Sequence, residues 1–268
     1  MYRGFKLNIV SSDFAIIGKK GKALSDYLES DDPYFSDYLK KGKKKFEGHK
    51  QLVNKNLDQF IVGDSGVIDG TKLQEDWFPL VNCDIFISHS HKDEDLAIAL
   101  AGWLYETFGL ESFIDSCIWG YADDLLKKLD KEYCKTTRQG YNYQSRNYST
   151  SHVHMMLNMA LMQMIDKTEC LFFLNTPNSI DLSDIETRTL SPWIYSEIGI
   201  SQMIEKKRTR TKYFSDNLNE SLRISYKLDL SHLANIDHTD LLLWKQKNVR
   251  EERALNSLYE IIPAPKKR

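Results

Sequence analysis

No stretch of the 268-residue sequence approaches 18 uninterrupted apolar residues, the length a membrane-spanning helix needs. The opening MYRGFKLNIVSSDFAIIGKKGK is too short and too broken in its apolar run to read as a signal peptide. A soluble chain with no membrane partner is expected. Cysteine is equally scarce. Cys83, Cys117, Cys134 and Cys170 are widely spaced and form no CxxC pair, which argues against a disulfide framework and for a reducing, cytoplasmic setting. Neither sign of charge dominates, because 36 basic side chains meet 38 acidic ones and the formal net charge is −2. That balance gives no global pull toward nucleic acid. GxGxxG and Walker sequences are missing, so a conventional dinucleotide fingerprint and a P-loop both lose support.

What remains is globular. Hydrophobic residues make up 41% of the chain, enough for one large domain or one ordinary domain with a substantial extension. Residues 1–79 read as an N-terminal extension packing on the core: short apolar clusters alternate with Lys-rich and Asp-rich stretches, and helices are expected near 20–30 and 46–61. The run Lys40–Lys45 reads as a solvated linker or, less commonly, as a grip for an anionic partner. The cluster Trp77, Phe78 and Pro79 is expected to pack the extension onto the domain that follows.

From Cys83 the pattern becomes regular. CDIFIS (83–88) reads as a buried strand, HSHKDED as a loop, and the segment through Gly109 as a helix with Leu96, Ala99, Leu100, Trp103 and Leu104 on its buried face. Gly109 is its expected C-terminal cap. A second strand covers 112–115 and a third 169–175, with a charged helix at 123–133 between them. Strands joined by such helices form a parallel sheet, whose ligands sit beyond the carboxyl ends of the strands, where Ser88 and Asp115 fall. The tyrosine-rich segment 135–151 reads as an irregular surface insertion, with Tyr141, Tyr143 and Tyr148 packing back on the domain or stacking on a base. In the methionine-rich helix 152–166, Met155, Met159 and Met162 share a face that core packing explains most simply. Pro192 opens a further helix, strands are expected at 212–214 and 224–231, and one long C-terminal helix at 240–262.

Chemistry concentrates on the helix from Pro192. Trp193 and Glu197 are four residues apart and share a face, so an indole lies beside a carboxylate. In a cleft that pair can hold a ribose or stabilise positive charge, although the same spacing also occurs in ordinary amphipathic helices. His89 and His91 follow the first strand and either touch phosphate or serve as solvated or capping side chains. Asp93, Glu94 and Asp95 most simply favour the start of a helix. Cys117, Cys134, His152 and His154 fit no compact zinc spacing, and no metal is expected.

Three segments together, CDIFISHSHKDEDLA at 83–97, FIDSCIWG at 113–120 and SPWIYSEIG at 191–199, resemble the TIR domain family, most closely the bacterial TIR-like proteins of antiphage defence. The resemblance covers 80–235 and leaves 236–268 as a C-terminal helix and tail. It implies a flavodoxin-like α/β domain around a central parallel β-sheet, in which Glu197 cleaves the nicotinamide–ribose bond of NAD. NAD is then a substrate, and no resident cofactor is implied. Ser88, His89 and Trp193 would line the nucleotide cleft, with Asp115 at the end of the second strand, and Trp119, Gly120 and Tyr121 would occupy the loop that covers the site or joins subunits. The implied function is an NAD glycohydrolase or ADP-ribosyl cyclase-like enzyme that depletes NAD or makes a nucleotide signal for a separate effector, acting as a homo-oligomer. The alternatives are a non-catalytic TIR assembly module and a nucleoside N-glycosidase or deoxyribosyltransferase.

Overall fold

The computed structural model describes residues 3–18, 33–47, 60, 68–119, 122–136, 140–180, 188–204 and 226–265. These form two compact units. The first comprises 1–45, 82–114 and 165–268, the second 46–81 and 115–164.

The first unit is α/β and carries a five-stranded, wholly parallel sheet. Its strands are β1 (Arg3–Asn8), β2 (Ile85–Ser88), β3 (Ser112–Phe113), β4 (Cys170–Leu174) and β7 (Ala234–Asp237), in the order β3-β2-β4-β1-β7. β2 and β4 are buried along their whole length, as strands covered on both faces must be. A separate antiparallel pair joins β5 (Arg188–Thr189) to β6 (Tyr226–Lys227).

Two strands change the expected division of the chain. Residues 3–8 are not part of an appended extension: β1 lies inside the sheet between β4 and β7, with Phe5 and Leu7 buried. β7 likewise spans the expected boundary at residue 235. Expected strand 212–214 lies outside the described residues, as do most of the expected helices at 20–30 and 46–61. Of the described part of segment 224–231, residues 226–231, Tyr226–Lys227 is strand.

Helices α1 (Phe14–Ile17), α2 (Pro33–Phe46), α4 (Glu94–Phe108), α8 (Pro192–Ile204), α9 (His238–Gln246) and α10 (Glu252–Ile261) complete the first unit, apart from the last residue of α2. α4 ends where expected, on Gly109 at φ 74°, a left-handed cap that glycine adopts without a Cβ penalty. Its Trp103 and Phe108 meet Trp244 of α9, the Phe108 and Trp244 rings stacking at 3.8 Å. Trp244 also reaches Phe172 of β4, so α4 and α9 cover the sheet face on which Phe172 points. The single C-terminal helix expected at 240–262 is instead broken at 247–251, where Asn248 and Glu251 take positive φ. The break lets the Trp244 indole nitrogen donate to the Ala254 carbonyl at 2.7 Å.

The lysine run belongs to neither expected class. It lies on α2, packed on α4 through Gly42 and Gly102: a Cβ on either glycine would overlap a backbone oxygen of the facing helix, that of Ile98 or Tyr38. Carboxylates of α2 itself, of α4 and of the turn beyond α4 then meet the lysines. Lys41 pairs with Asp37 and Glu106, Lys43 with Asp95, and Lys45 with Glu111 at 2.7 Å.

The second unit is helical: α3 (Gly70–Trp77), α5 (Asp115–Ile118), α6 (Ala122–Tyr133) and most of α7 (Tyr143–Lys167). Trp77 and Phe78 are buried within it, Phe78 edge-on to Trp119 at 5.5 Å. The segment read as an irregular insertion is largely helix, because α7 begins at Tyr143. Asn142 caps it by accepting from the Ser145 N–H at 3.0 Å, and Arg146 and Ser149 both donate to buried Asp130 of α6 at 2.7 Å. Tyr141, Tyr143 and Tyr148 are exposed rather than packed back. α7 turns Val153, Leu157, Ala160, Leu161 and Met164 inward, which leaves Met155, Met159 and Met162 outside, the reverse of the expected core face.

Candidate functional site

In a parallel sheet, residues paired in register point to the same face. Ile87 pairs with Phe172, and Ser88 with Phe173, so Ser88 points to the face opposite α4 and α9, at the last position of β2. On that face its hydroxyl donates to Glu197 Oε2 of α8 at 2.5 Å. Both side chains are buried, Glu197 at 4% exposure and Ser88 at 1%.

α8 is held at both ends. Ser191 caps it, its hydroxyl accepting the Ile194 N–H at 3.3 Å, while Pro192 occupies the first turn, where a missing N–H costs nothing. At the other end the Ser201 hydroxyl meets His232 Nε2 at 2.8 Å, and the Gln202 amide donates to the Asp229 carbonyl at 2.7 Å. Ile194, Ile198 and Ile200 bury its apolar side. Glu197 sits on that buried side, and the half-buried Trp193 indole lies one turn before it.

His89 comes next along the chain. Its Nδ1 is 3.3 Å from the Ile87 carbonyl oxygen, whereas its buried Nε2 has no hydrogen-bond partner among the described residues. A buried ring nitrogen left without a partner is unusual in a folded chain. His91 starts a short 3-10 turn and is exposed.

Asp93 does not serve as a helix-start charge alone. It is buried, and its carboxylate accepts from the Thr176 hydroxyl at 2.5 Å and from the Asn178 amide at 2.8 Å. The Thr176 and Ser179 hydroxyls lie 3.2 Å apart. The loops after β2 and β4 are thereby stitched together at the carboxyl edge of the sheet. Asn175 completes this edge, donating to the Asn8 side chain at 2.5 Å at the end of β1. This network is absent from the sequence reading. A turn-forming NTPNS directly after an apolar strand was its one available signal.

Ser88, His89, Trp193 and Glu197 therefore share the first unit, and a hydrogen bond joins Ser88 to Glu197. Asp115 and Trp119 belong to the second. Asp115 opens α5, its carbonyl accepting the Trp119 N–H. Trp119 is only 2% exposed, and its indole nitrogen donates to the Pro79 carbonyl at 2.9 Å. The indole is thus committed to the interior of its own unit rather than displayed on a loop. Gly120 and Tyr121 lie outside the described residues.

Two sizeable cavities are lined by described residues. One, about 710 Å³, involves Lys6, Asp229, Asn235 and Asp240. The other, about 700 Å³, lies between α3, α6 and α7. Neither includes Ser88, His89, Trp193 or Glu197. No helix among the described residues is long and apolar enough to cross a membrane. Comparison with protein-family models, with curated proteins and with solved structures gives no match for this chain.

Proposed function

We propose that the chain is a TIR-like enzyme of flavodoxin-like architecture that cleaves the nicotinamide–ribose bond of NAD, with Glu197 as the catalytic carboxylate. The supporting observation is the buried Glu197 side chain, fixed by Ser88 at the carboxyl end of a central parallel strand. Open α/β sheets bind nucleotides at that edge. The five-stranded parallel sheet is compatible with the fold.

Departure of nicotinamide needs no strong nucleophile, because the leaving group is already cationic and its loss leaves an oxocarbenium-like ribose. A carboxylate beside that sugar stabilises the growing charge or holds the ribose hydroxyls. In a water-poor setting each such interaction is worth more than in solution. Ser88 acts as a positioning residue that donates to Glu197 Oε2 and fixes the carboxylate. The unpartnered His89 nitrogen supplies a polar contact for ribose or phosphate, and Trp193 a flat surface for a ring. The fate of the ADP-ribose, released or cyclised into a signal for a separate effector in antiphage defence, follows from what attacks the sugar next.

A second reading, a non-catalytic assembly module of the same fold, is favoured by the near-complete burial of Glu197. One experiment separates them. Purified protein is incubated with NAD at low and high protein concentration, and nicotinamide and nucleotide products are followed by mass spectrometry. The enzyme reading expects nicotinamide release that falls about 100- to 1,000-fold in Glu197→Gln, the loss seen when one transition-state-stabilising group is removed. Undiminished release in Glu197→Gln, or no release from the wild type in any assembled state, refutes it. Release or exchange of a nucleobase from nucleosides without nicotinamide points instead to an N-glycosidase or deoxyribosyltransferase.

A further inference from the structure

The cavity between α3, α6 and α7 lies wholly within the second unit. Its volume, about 700 Å³, falls in the range of small-molecule pockets, roughly 300–1,000 Å³. Three kinds of side chain line it. Ile68 and Leu73, Leu129 of α6 and Met156 of α7 supply an apolar wall, in which Leu73 and Leu129 are buried. Tyr133, Tyr148 and His152 bring three exposed rings, Tyr148 and His152 meeting edge to face at 4.4 Å. Gln144 and Ser145, in the first turn of α7, form a polar end. Among the described residues neither of these two side chains has a hydrogen-bond partner; only the Ser145 N–H is engaged, by Asn142.

The lining contains no Asp, Glu, Lys or Arg. Arg146 and Asp130, which flank lining residues on α7 and α6, are bonded to each other at 2.7 Å. A phosphate or carboxylate entering this cavity loses water and gains no counter-charge, which selects against anions. A flexible alkyl chain leaves the Gln144 amide and the Ser145 hydroxyl unmatched and gains nothing specific from the rings. A planar ring gains from both. It can stack on, or meet edge-on, the tyrosine and histidine rings, and the Met156 thioether and Cys134 thiol favour contact with an aromatic system.

We propose that this cavity binds an uncharged, planar nitrogen heterocycle of one or two fused rings, its hydrogen-bonding edge set against Gln144. A side-chain amide offers a donor and an acceptor side by side, and a ring that carries an N–H next to a carbonyl matches both. Tyr148, 70% exposed, supplies a ring surface that the ligand covers. Gly70 keeps the space open: a Cβ there would lie 3.4 Å from the Met156 methyl, with nothing else within 4 Å. The inference does not depend on the proposed NAD chemistry.

Isothermal titration calorimetry of the full chain with quinazolinone, whose lactam sets an N–H beside a carbonyl, is the test. Indole, a ring of similar size with a donor only, and octanoate, a flexible anion, are titrated in parallel. Quinazolinone is expected to bind with a dissociation constant below about 1 mM, indole more weakly and octanoate not measurably. Because no ion pair forms, the affinity is expected to be the same at low and high salt. Gly70→Leu, which fills the cavity, and Tyr148→Ala, which removes an exposed ring, are each expected to weaken quinazolinone by about tenfold with unchanged far-UV circular dichroism. Gln144→Leu is expected to bring quinazolinone down to the affinity of indole and to leave indole itself unchanged. Should Gly70→Leu fail to fold, Tyr148→Ala and Gln144→Leu, both at exposed positions, decide the matter. No quinazolinone binding to the wild type, octanoate binding of equal strength, or an affinity that survives Tyr148→Ala and Gln144→Leu overturns the proposal.

Discussion

Replacing Ser88 by alanine tests whether Glu197 is held where its chemistry requires. The substitution removes one oxygen and almost no volume, so packing around β2 is barely changed. What it removes is the 2.5 Å hydrogen bond to Glu197 Oε2 between two buried groups. A hydrogen bond to a charged group contributes about 1.5–3 kcal/mol, and loss of a donor leaves a buried acceptor without the water that would otherwise replace it. The expected cost is about 2 kcal/mol at neutral pH. With a urea m-value of about 2–3 kcal/mol/M, the midpoint falls by roughly 0.7–1 M. The asymmetry between losing one partner and losing both supplies the sharper result. Glu197→Leu alone strands the serine hydroxyl, whereas Ser88→Ala/Glu197→Leu replaces both groups with apolar ones and is expected to be less destabilised than the sum of the single variants by about 1–2 kcal/mol. Urea titrations of the four proteins in parallel measure this coupling. A Ser88→Ala cost below about 0.5 kcal/mol, or additive single effects, would mean that the two side chains do not hold each other, and the positioning role of Ser88 would be withdrawn. In the nicotinamide-release assay, Ser88→Ala is expected to lower kcat more than it raises KM, because a misaligned carboxylate affects the transition state more than binding.

Other outcomes follow from packing and charge. Gly102→Ala is expected to destabilise the protein by about 2 kcal/mol or more, since its Cβ would press on the Tyr38 carbonyl and force α2 off α4; a melting temperature equal to wild type would contradict the close approach. Burial opposes ionisation of Asp130, but hydrogen bonds from Ser149 and Arg146 outweigh it and hold the carboxyl below the usual aspartate range. A depressed folded pKa stabilises the fold above the ordinary value of about 3.9 and loses that contribution as pH falls through the lower folded value. The stability gap between wild type and Asp130→Asn, about 1–2 kcal/mol at pH 7, should therefore close below pH 4, and a gap independent of pH would refute the assignment. Burial, with help from the neighbouring Asp84 charge, pushes the Cys83 thiol up to about 12, so its alkylation at pH 8 is expected to be far slower than that of a free thiol; a rate matching free cysteine would show that the site opens.

The elements legible in the sequence are those whose local signals and tertiary fate agree. β2 and β4 are continuous apolar runs, α4 ends on a glycine, and α8 begins with a proline after a serine cap. The spacing of Trp193 and Glu197 puts both on α8, and the apolar run CDIFIS puts Ser88 at the tip of β2. β1 and β7 escaped because each mixes polar residues into a short segment. RGFKLN reads as part of an N-terminal extension, yet Arg3 donates to the Tyr259 and Ile262 carbonyls, with its guanidinium 4.8 Å from the Tyr259 ring centre. Only long-range contacts of that kind make a charged residue acceptable at the start of an internal strand. The first turns of α7 were hidden similarly: Tyr, Ser, Asn and Thr are weak helix formers, and it is Asp130, more than fifteen residues upstream of Arg146 and Ser149, that makes the helix worth forming. For the methionines the sequence offers two apolar faces on one helix, and periodicity cannot say which one finds a core. The branched and compact residues won the interior.

The same distinction between local and long-range signals bears on the candidate site. Its polar atoms are fixed by bonds that bridge distant parts of the chain: Ser88 to Glu197 across 109 positions, and Asp93 to Thr176 and Asn178 across 83 and 85. A parallel sheet makes this possible, because every strand delivers its following loop to the same edge, so segments far apart in sequence become neighbours without any motif recording the fact. The entropy of ordering these loops is spent during folding. In the proposed reading, a ligand at this edge would meet Glu197 already hydrogen-bonded in place, and its binding energy would not go into orienting that side chain. Such preorganisation is compatible with the proposed chemistry, in which the carboxylate must be in position before the nicotinamide bond lengthens.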